Sequence, residues 1–171
     1  MSPRKTFEQE LDKLLEQIEQ MSHIVECSYK DLFDAIKIKD KIAIERIVKS
    51  DRNINNMQRE IESQCLMLIT KQQPVAGDLR IVSSVLKAVT DIERVGDHVS
   101  DMAELILRIN MNQLGEYSLH LEGMVTATKE LFMNAVEAFV NDDPAASKSV
   151  ISGDDVIDNL FNKVKNDIIN G

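Results

Sequence analysis

The chain has 171 residues, 43% of them apolar, with three prolines, six glycines, no tryptophan and a formal net charge of −9. That is enough for one domain, or one and part of a second, with a real core, and it favours helices over a turn-rich fold. The charge argues against nucleic acid and against electrostatic docking on an anionic membrane; no stretch approaches the ~18 consecutive apolar residues of a transmembrane helix.

At the N-terminus, Met1-Ser2-Pro3-Arg4-Lys5 leads into an acidic amphipathic stretch with no apolar signal region, so a cytoplasmic protein is expected. Cys27 and Cys65 lack metal-type spacing and read as reduced thiols. Helix one is expected from about Thr6 to Ile38, with Phe7, Leu11, Leu14, Ile18, Met21, Val25, Ser28, Leu32 and Ala35 forming an alternation of threes and fours. Asp40 caps helix two by accepting a hydrogen bond from a first-turn amide. Its seam continues through Ala43, Ile47, Ile54, Ile61 and Leu68, with Met57 beside it, and ends near Lys71.

The long third helix opens in the stretch Gln73-Pro74-Val75-Ala76-Gly77-Asp78-Leu79-Arg80. Pro74 is expected at the first helical position, where its missing N–H costs nothing, and Asp78 near the positive end of the helix dipole. The helix runs to about Asn110. One apolar row is Val85, Ile92, Val99 and Ile106; the other is Ile81, Ala88, Val95, Met102 and Ile109. Three helices with short connections make an up-down-up bundle, elongated to about 45–55 Å.

After Asn110–Gly115 the pattern restarts. A gapless shift of 103 residues superposes Met21 on Met124, Tyr29 on Phe132, Asp40 on Asp143, Asp51 on Asp154 and Ile54 on Ile157. This is an internal repeat of a three-helix unit. Residues 1–112 are read as the first bundle and 113–171 as the first two helices of a second, whose third helix would begin beyond Gly171. An open seam is an association liability, so helices four and five are expected to pack on another copy or on each other.

Glu93, Asp97 and Asp101 stack at i, i+4 and i+8, away from the expected seam of helix three. Like charges so placed repel, and a divalent cation would turn repulsion into binding through hard oxygen ligands. The plainer reading is a solvated face on which Asp91, Arg94 and Asp97 neutralise one another. Gly96, mid-helix at a cost of about 1 kcal/mol against alanine, lets a metal or a neighbouring helix come close. Asp154 and Asp158 repeat the i, i+4 spacing, whereas Asp51 is followed by Asn55. His98 reads as a polar flank. No Glu-x-x-His pair, phosphate loop, Cys/His zinc pattern or nucleophile–base spacing is present, so catalysis has no positive support.

The runs Gln72-Gln73-Pro74-Val75-Ala76-Gly77-Asp78-Leu79-Arg80 and Asp91-Ile92-Glu93-Arg94-Val95-Gly96-Asp97-His98 closely resemble the PhoU family of phosphate-regulon regulators. The resemblance implies an all-α fold of tandem elongated three-helix bundles, with metal ions held by acid-x-x-x-Asp motifs on outer surfaces. Glu93 and Asp97 match such a motif, Asp154 and Asp158 match the acids of the preceding helix in the second copy, and Pro74, Asp78, Arg80, Arg94 and Gly96 are motif positions. Asn55 and Gln58 stand where the family often has acids, and Asp101 where asparagine is usual. The ion would be iron, zinc, manganese or magnesium.

The resemblance further implies a cytoplasmic, non-enzymatic negative regulator of phosphate uptake. It would contact the ATPase of an ABC-type phosphate transporter, a phosphate-sensing histidine kinase, or both, and a homodimer is expected. A metal-free helical adaptor and a ferritin-like metalloenzyme are the alternatives, the latter lacking histidine ligands.

Overall fold

The computed structural model describes residues 3–72, 74–109 and 118–170. They form five helices and no strand: α1 (Pro3–Ile38), α2 (Lys41–Gln72), α3 (Ala76–Arg108), α4 (Ser118–Val140) and α5 (Pro144–Asn170). Gln73, the expected helix end at Asn110, the 112/113 boundary and Gly171 lie outside the described residues.

Helices α1, α2 and α3 pack pairwise into one bundle. At 36, 32 and 33 residues each is about 50 Å long. The α1 seam holds as expected: Phe7, Leu14, Ile18, Met21, Val25, Leu32 and Ala35 are buried, with Leu11 and Ser28 half-buried beside them. On α2 the structure adds Ile44 and Cys65 to the buried Ile47, Ile54, Ile61 and Leu68. Fully burying an aliphatic side chain of this size is worth about 1.5–3 kcal/mol, so these rows dominate the favourable side of folding.

On α3 the expected seam is rotated by one residue. Val85, Ile92 and Val99 are buried, but the second row is Val82, Val89, Gly96 and Ala103. Ala88, Val95 and Met102 are only half-buried, while Ile81 and Ile109 are 43% and 45% exposed. The reason is close approach. A Cβ added at Gly96 would stand 2.9 Å from Ile54 Cδ1, 3.2 Å from Ile54 Cγ2 and 3.5 Å from Val25 Cγ2, so the glycine draws its row toward α1 and α2. The start of α3 also differs from expectation. Val75 is the N-cap residue and Ala76 the first helical one, which leaves Pro74 before the cap rather than at the first position. Asp78 remains in the first turn, and Arg4 Nη1 donates to its Oδ2 over 2.7 Å, tying the starts of α1 and α3 together.

The α1–α2 and α4–α5 turns are copies. Lys39 (φ 58°) and Asp142 (φ 49°) are left-handed. Lys39 N donates to Ile36 O and Asp40 N to Ala35 O; at the same offset, Asp142 N donates to Phe139 O and Asp143 N to Ala138 O. Each pair closes its helix with a Schellman motif. The residue that completes the motif then caps the next helix: Asp40 Oδ1 accepts from Ala43 N at 3.0 Å, and Asp143 Oδ1 from Ala146 N at 3.0 Å.

Helix α4 packs on α1, and α5 packs chiefly on α4. Val136, Phe132, Phe139 and Val140 extend the core cluster of the first three helices, while Lys37 pairs with Glu122 and Lys129 with Glu26 across the α1–α4 boundary. Helices four and five therefore do pack on each other. Beyond that contact α5 is open to solvent, with Ile151 75% and Ile169 67% exposed.

Candidate functional site

Rotation of α3 changes the surroundings of its acid ladder. Glu93 and Asp97 do not point away from the seam; they flank it and are half-buried, and only Asp101 is exposed. They face α2, whose Asp51, Asn55, Gln58 and Glu62 recur at three- and four-residue spacing and are all half-buried. Two acidic edges thus meet along the α2–α3 groove.

The electrostatics follow from that meeting. Burial, then the neighbouring Asp97 carboxylate, then the charge of Asp101 push the Asp51 carboxyl up from its ordinary value, although Asn55 Nδ2 donates to Asp51 Oδ2 at 2.7 Å. Asp51 Oδ1 is buried with no hydrogen-bond partner. Glu93 is likewise pushed up, first by burial and then by the charges of Asp97 and Asp51, with Glu62 a smaller contributor. Among the described residues no Lys or Arg pairs with Asp51, Glu93, Asp97 or Asp101 within 4.0 Å. Arg94 turns instead to Asp91, 3.8 Å away, which also accepts from Lys87 Nζ at 3.0 Å. The neutralising set on this helix is therefore Lys87–Asp91–Arg94, not Asp91–Arg94–Asp97.

A cation fits this donor set by its chemistry. Clustered carboxylates, one with an orphaned buried oxygen, suit a hard divalent ion. The side chains do not converge on one point, however, since among the described residues no group of three or more His, Cys, Asp or Glu is placed to hold a metal ion. Asp154 and Asp158 are exposed on α5, and α5 packs chiefly on α4, so the structure does not bring them to the α3 ladder. Arg80 and His98 are exposed on α3. Sequence reading overlooked Glu62; its signal was the i, i+4, i+7, i+11 face running from Asp51.

The PhoU domain family matches residues 18–106 and again 121–171. The chain belongs to this family. It is 33% identical over 168 residues to a phosphate-specific transport system accessory protein PhoU homolog of Clostridium acetobutylicum, covering 98% of this chain and 77% of that one. A homolog of the same description from Aquifex aeolicus is 30% identical over 161 residues, covering 94% and 72%. Among solved structures, PhoU of Streptococcus pneumoniae superposes with a TM-score of 0.87 at 29% identity, over 96% of this chain and 77% of that one. PhoU of Pseudomonas aeruginosa gives 0.85 at 25% identity, over 96% and 79%. These relatives are named as accessory and regulatory proteins, not as enzymes. Among the described residues no helix is long and apolar enough to cross a membrane.

Proposed function

We propose that this chain is a negative regulator of phosphate uptake and phosphate-starvation signalling. It acts in the cytoplasm by contact with the ATPase of an ABC phosphate transporter, with a phosphate-sensing histidine kinase, or with both. The observation that carries the reading is the double match to the PhoU domain, once on α1–α3 and once on α4–α5. That match also supports division into units 1–112 and 113–171. Exposed apolar residues on α5 favour a homodimer. Deleting the gene should raise intracellular phosphate and leave kinase output on in phosphate-rich medium. Unchanged uptake together with unchanged kinase output would sink the proposal.

Within this reading, Asp51, Glu93, Asp97 and Asp101 are the residues that would hold a divalent or trivalent ion, whose positive charge would relieve their mutual repulsion. Asp154 and Asp158 would need a separate ion on α5. Acids that pair with no Lys or Arg among the described residues support a second reading, a metal-free adaptor whose α2–α3 groove meets a basic partner surface. Elemental analysis after purification without chelator separates the two. Glu93→Ala/Asp97→Ala should lose bound metal under the first reading and change nothing under the second.

A further inference from the structure

The two cysteines lie in opposite surroundings. Cys65 is buried in the core, and burial pushes its thiol up to about 11, which makes it inert. Cys27 is exposed on α1 and has company there. Its Sγ is 4.0 Å from His23 Nε2, while His23 Nδ1 is 3.0 Å from Glu26 Oε2. A carboxylate only accepts hydrogen bonds, so Glu26 holds the imidazole proton on Nδ1 and leaves the Nε2 lone pair toward the thiol. A nucleophile, a base and a group that orients the base form one constellation, on three residues within a single helical turn and a half. Glu26 is itself fixed from α4, since Lys129 Nζ lies 3.5 Å from its other oxygen.

The thiol opens into a groove of about 520 Å³ between α1 and α2. The groove's charged groups are Asp31 and Asp34 from α1 and Arg46 from α2, so the rim is net acidic. This balance disfavours anionic reagents and favours those carrying ammonium groups.

We propose that Cys27 is a thiol–disulfide exchange site, with His23 as its base and Glu26 as the residue positioning that base, and that it takes small disulfides bearing ammonium groups. The thiol proton passes to His23 Nε2, and the Sγ electron pair forms a bond to the nearer disulfide sulfur as the S–S bond breaks. The departing thiolate recovers the proton from the imidazolium. Cys27 ends as a mixed disulfide, oxidised, and one half of the disulfide ends as a thiol, reduced.

The test is a time course of adduct mass on the native 171-residue chain with cystamine, which is cationic, and with dithiobis(nitrobenzoate), which is anionic. One adduct should form, absent in Cys27→Ser. His23→Gln should slow the reaction at neutral pH and change the shape of its rate–pH profile. Glu26→Gln should slow it less. Lys129→Met, which frees Glu26 from α4, should slow it less than His23→Gln does. Relative to the peptide, cystamine should be favoured over the anionic reagent, and Asp31→Asn/Asp34→Asn should abolish that preference. Wild-type rate and profile in His23→Gln, adducts on Cys65, or no reagent preference would each overturn the proposal. All the substituted groups except Glu26 and Lys129 are exposed, and an unchanged melting temperature in each variant separates a chemical effect from a folding one.

Discussion

Gly96 and Ile54 are fitted to each other atom by atom. A methyl group on Gly96 meets Ile54 Cδ1 at 2.9 Å and Cγ2 at 3.2 Å. The first can swing away; the second is held by a β-branched χ1. Alanine gains about 1 kcal/mol in helix propensity but overpacks the seam by about 1–3 kcal/mol. Gly96→Ala should therefore cost about 1 kcal/mol net in denaturant melts, and Ile54→Val in the same chain, which removes the Cδ1 methyl but keeps Cγ2, should recover little of it. Asp51 and Glu93 make a pH-dependent prediction. Their folded-state values are raised, so the native state binds more protons than the unfolded one just above the ordinary carboxylate range. Their contribution is fully favourable below about pH 4 and is lost as pH rises through the raised values. Asp51→Asn/Glu93→Gln should thus be more stable than the wild type at pH 7, and the difference should vanish near pH 4 in paired melts.

The helix ends are the clearest case of one local solution used twice. Asp40 and Asp143 each complete a Schellman closure and cap the following helix, and replacing either by alanine removes a capping bond worth about 1 kcal/mol. The consequences should differ, because α2 is in the bundle and α5 touches chiefly α4. Asp40→Ala should lower the main unfolding transition by about 1 kcal/mol, whereas Asp143→Ala should speed amide exchange along α5 and leave that transition in place. These caps were legible in the sequence because they depend on neighbours three residues away. So was the α1 seam, whose single apolar stripe fixes its phase. The α3 seam was not, because apolar residues lie on two adjacent stripes and the row that is buried contains Gly96 and Ala103, small residues that look weakly apolar. Only their place in the packed bundle shows that they face inward. The meeting of Asp51 with Asp97 was hidden for the same reason: it depends on the rotation of α3 against α2, which neither helix encodes alone.

At the scale of the molecule, order should fall off from the bundle outward. Helices α1–α3 enclose two core clusters, α4 adds Val136 to one of them, and α5 has no fully buried apolar side chain among its described residues. Hydrogen exchange should accordingly be slowest in the first three helices and fastest in α5. If two copies associate through α5, raising protein concentration should increase both the sedimentation coefficient and α5 protection, and charge placed at Phe161, now 55% exposed, should reverse both. Gly96 has one more consequence at this scale. One heptad away in its own row stand Val89 and Ala103. Sliding α3 along its axis by that distance would press a side chain, instead of a hydrogen atom, onto Ile54. The notch therefore acts as an index mark that admits a single axial setting, and that setting fixes the height at which Glu93, Asp97 and Asp101 stand across from Asp51. The acid cluster takes its alignment from a methyl group missing elsewhere on the circumference of its own helix.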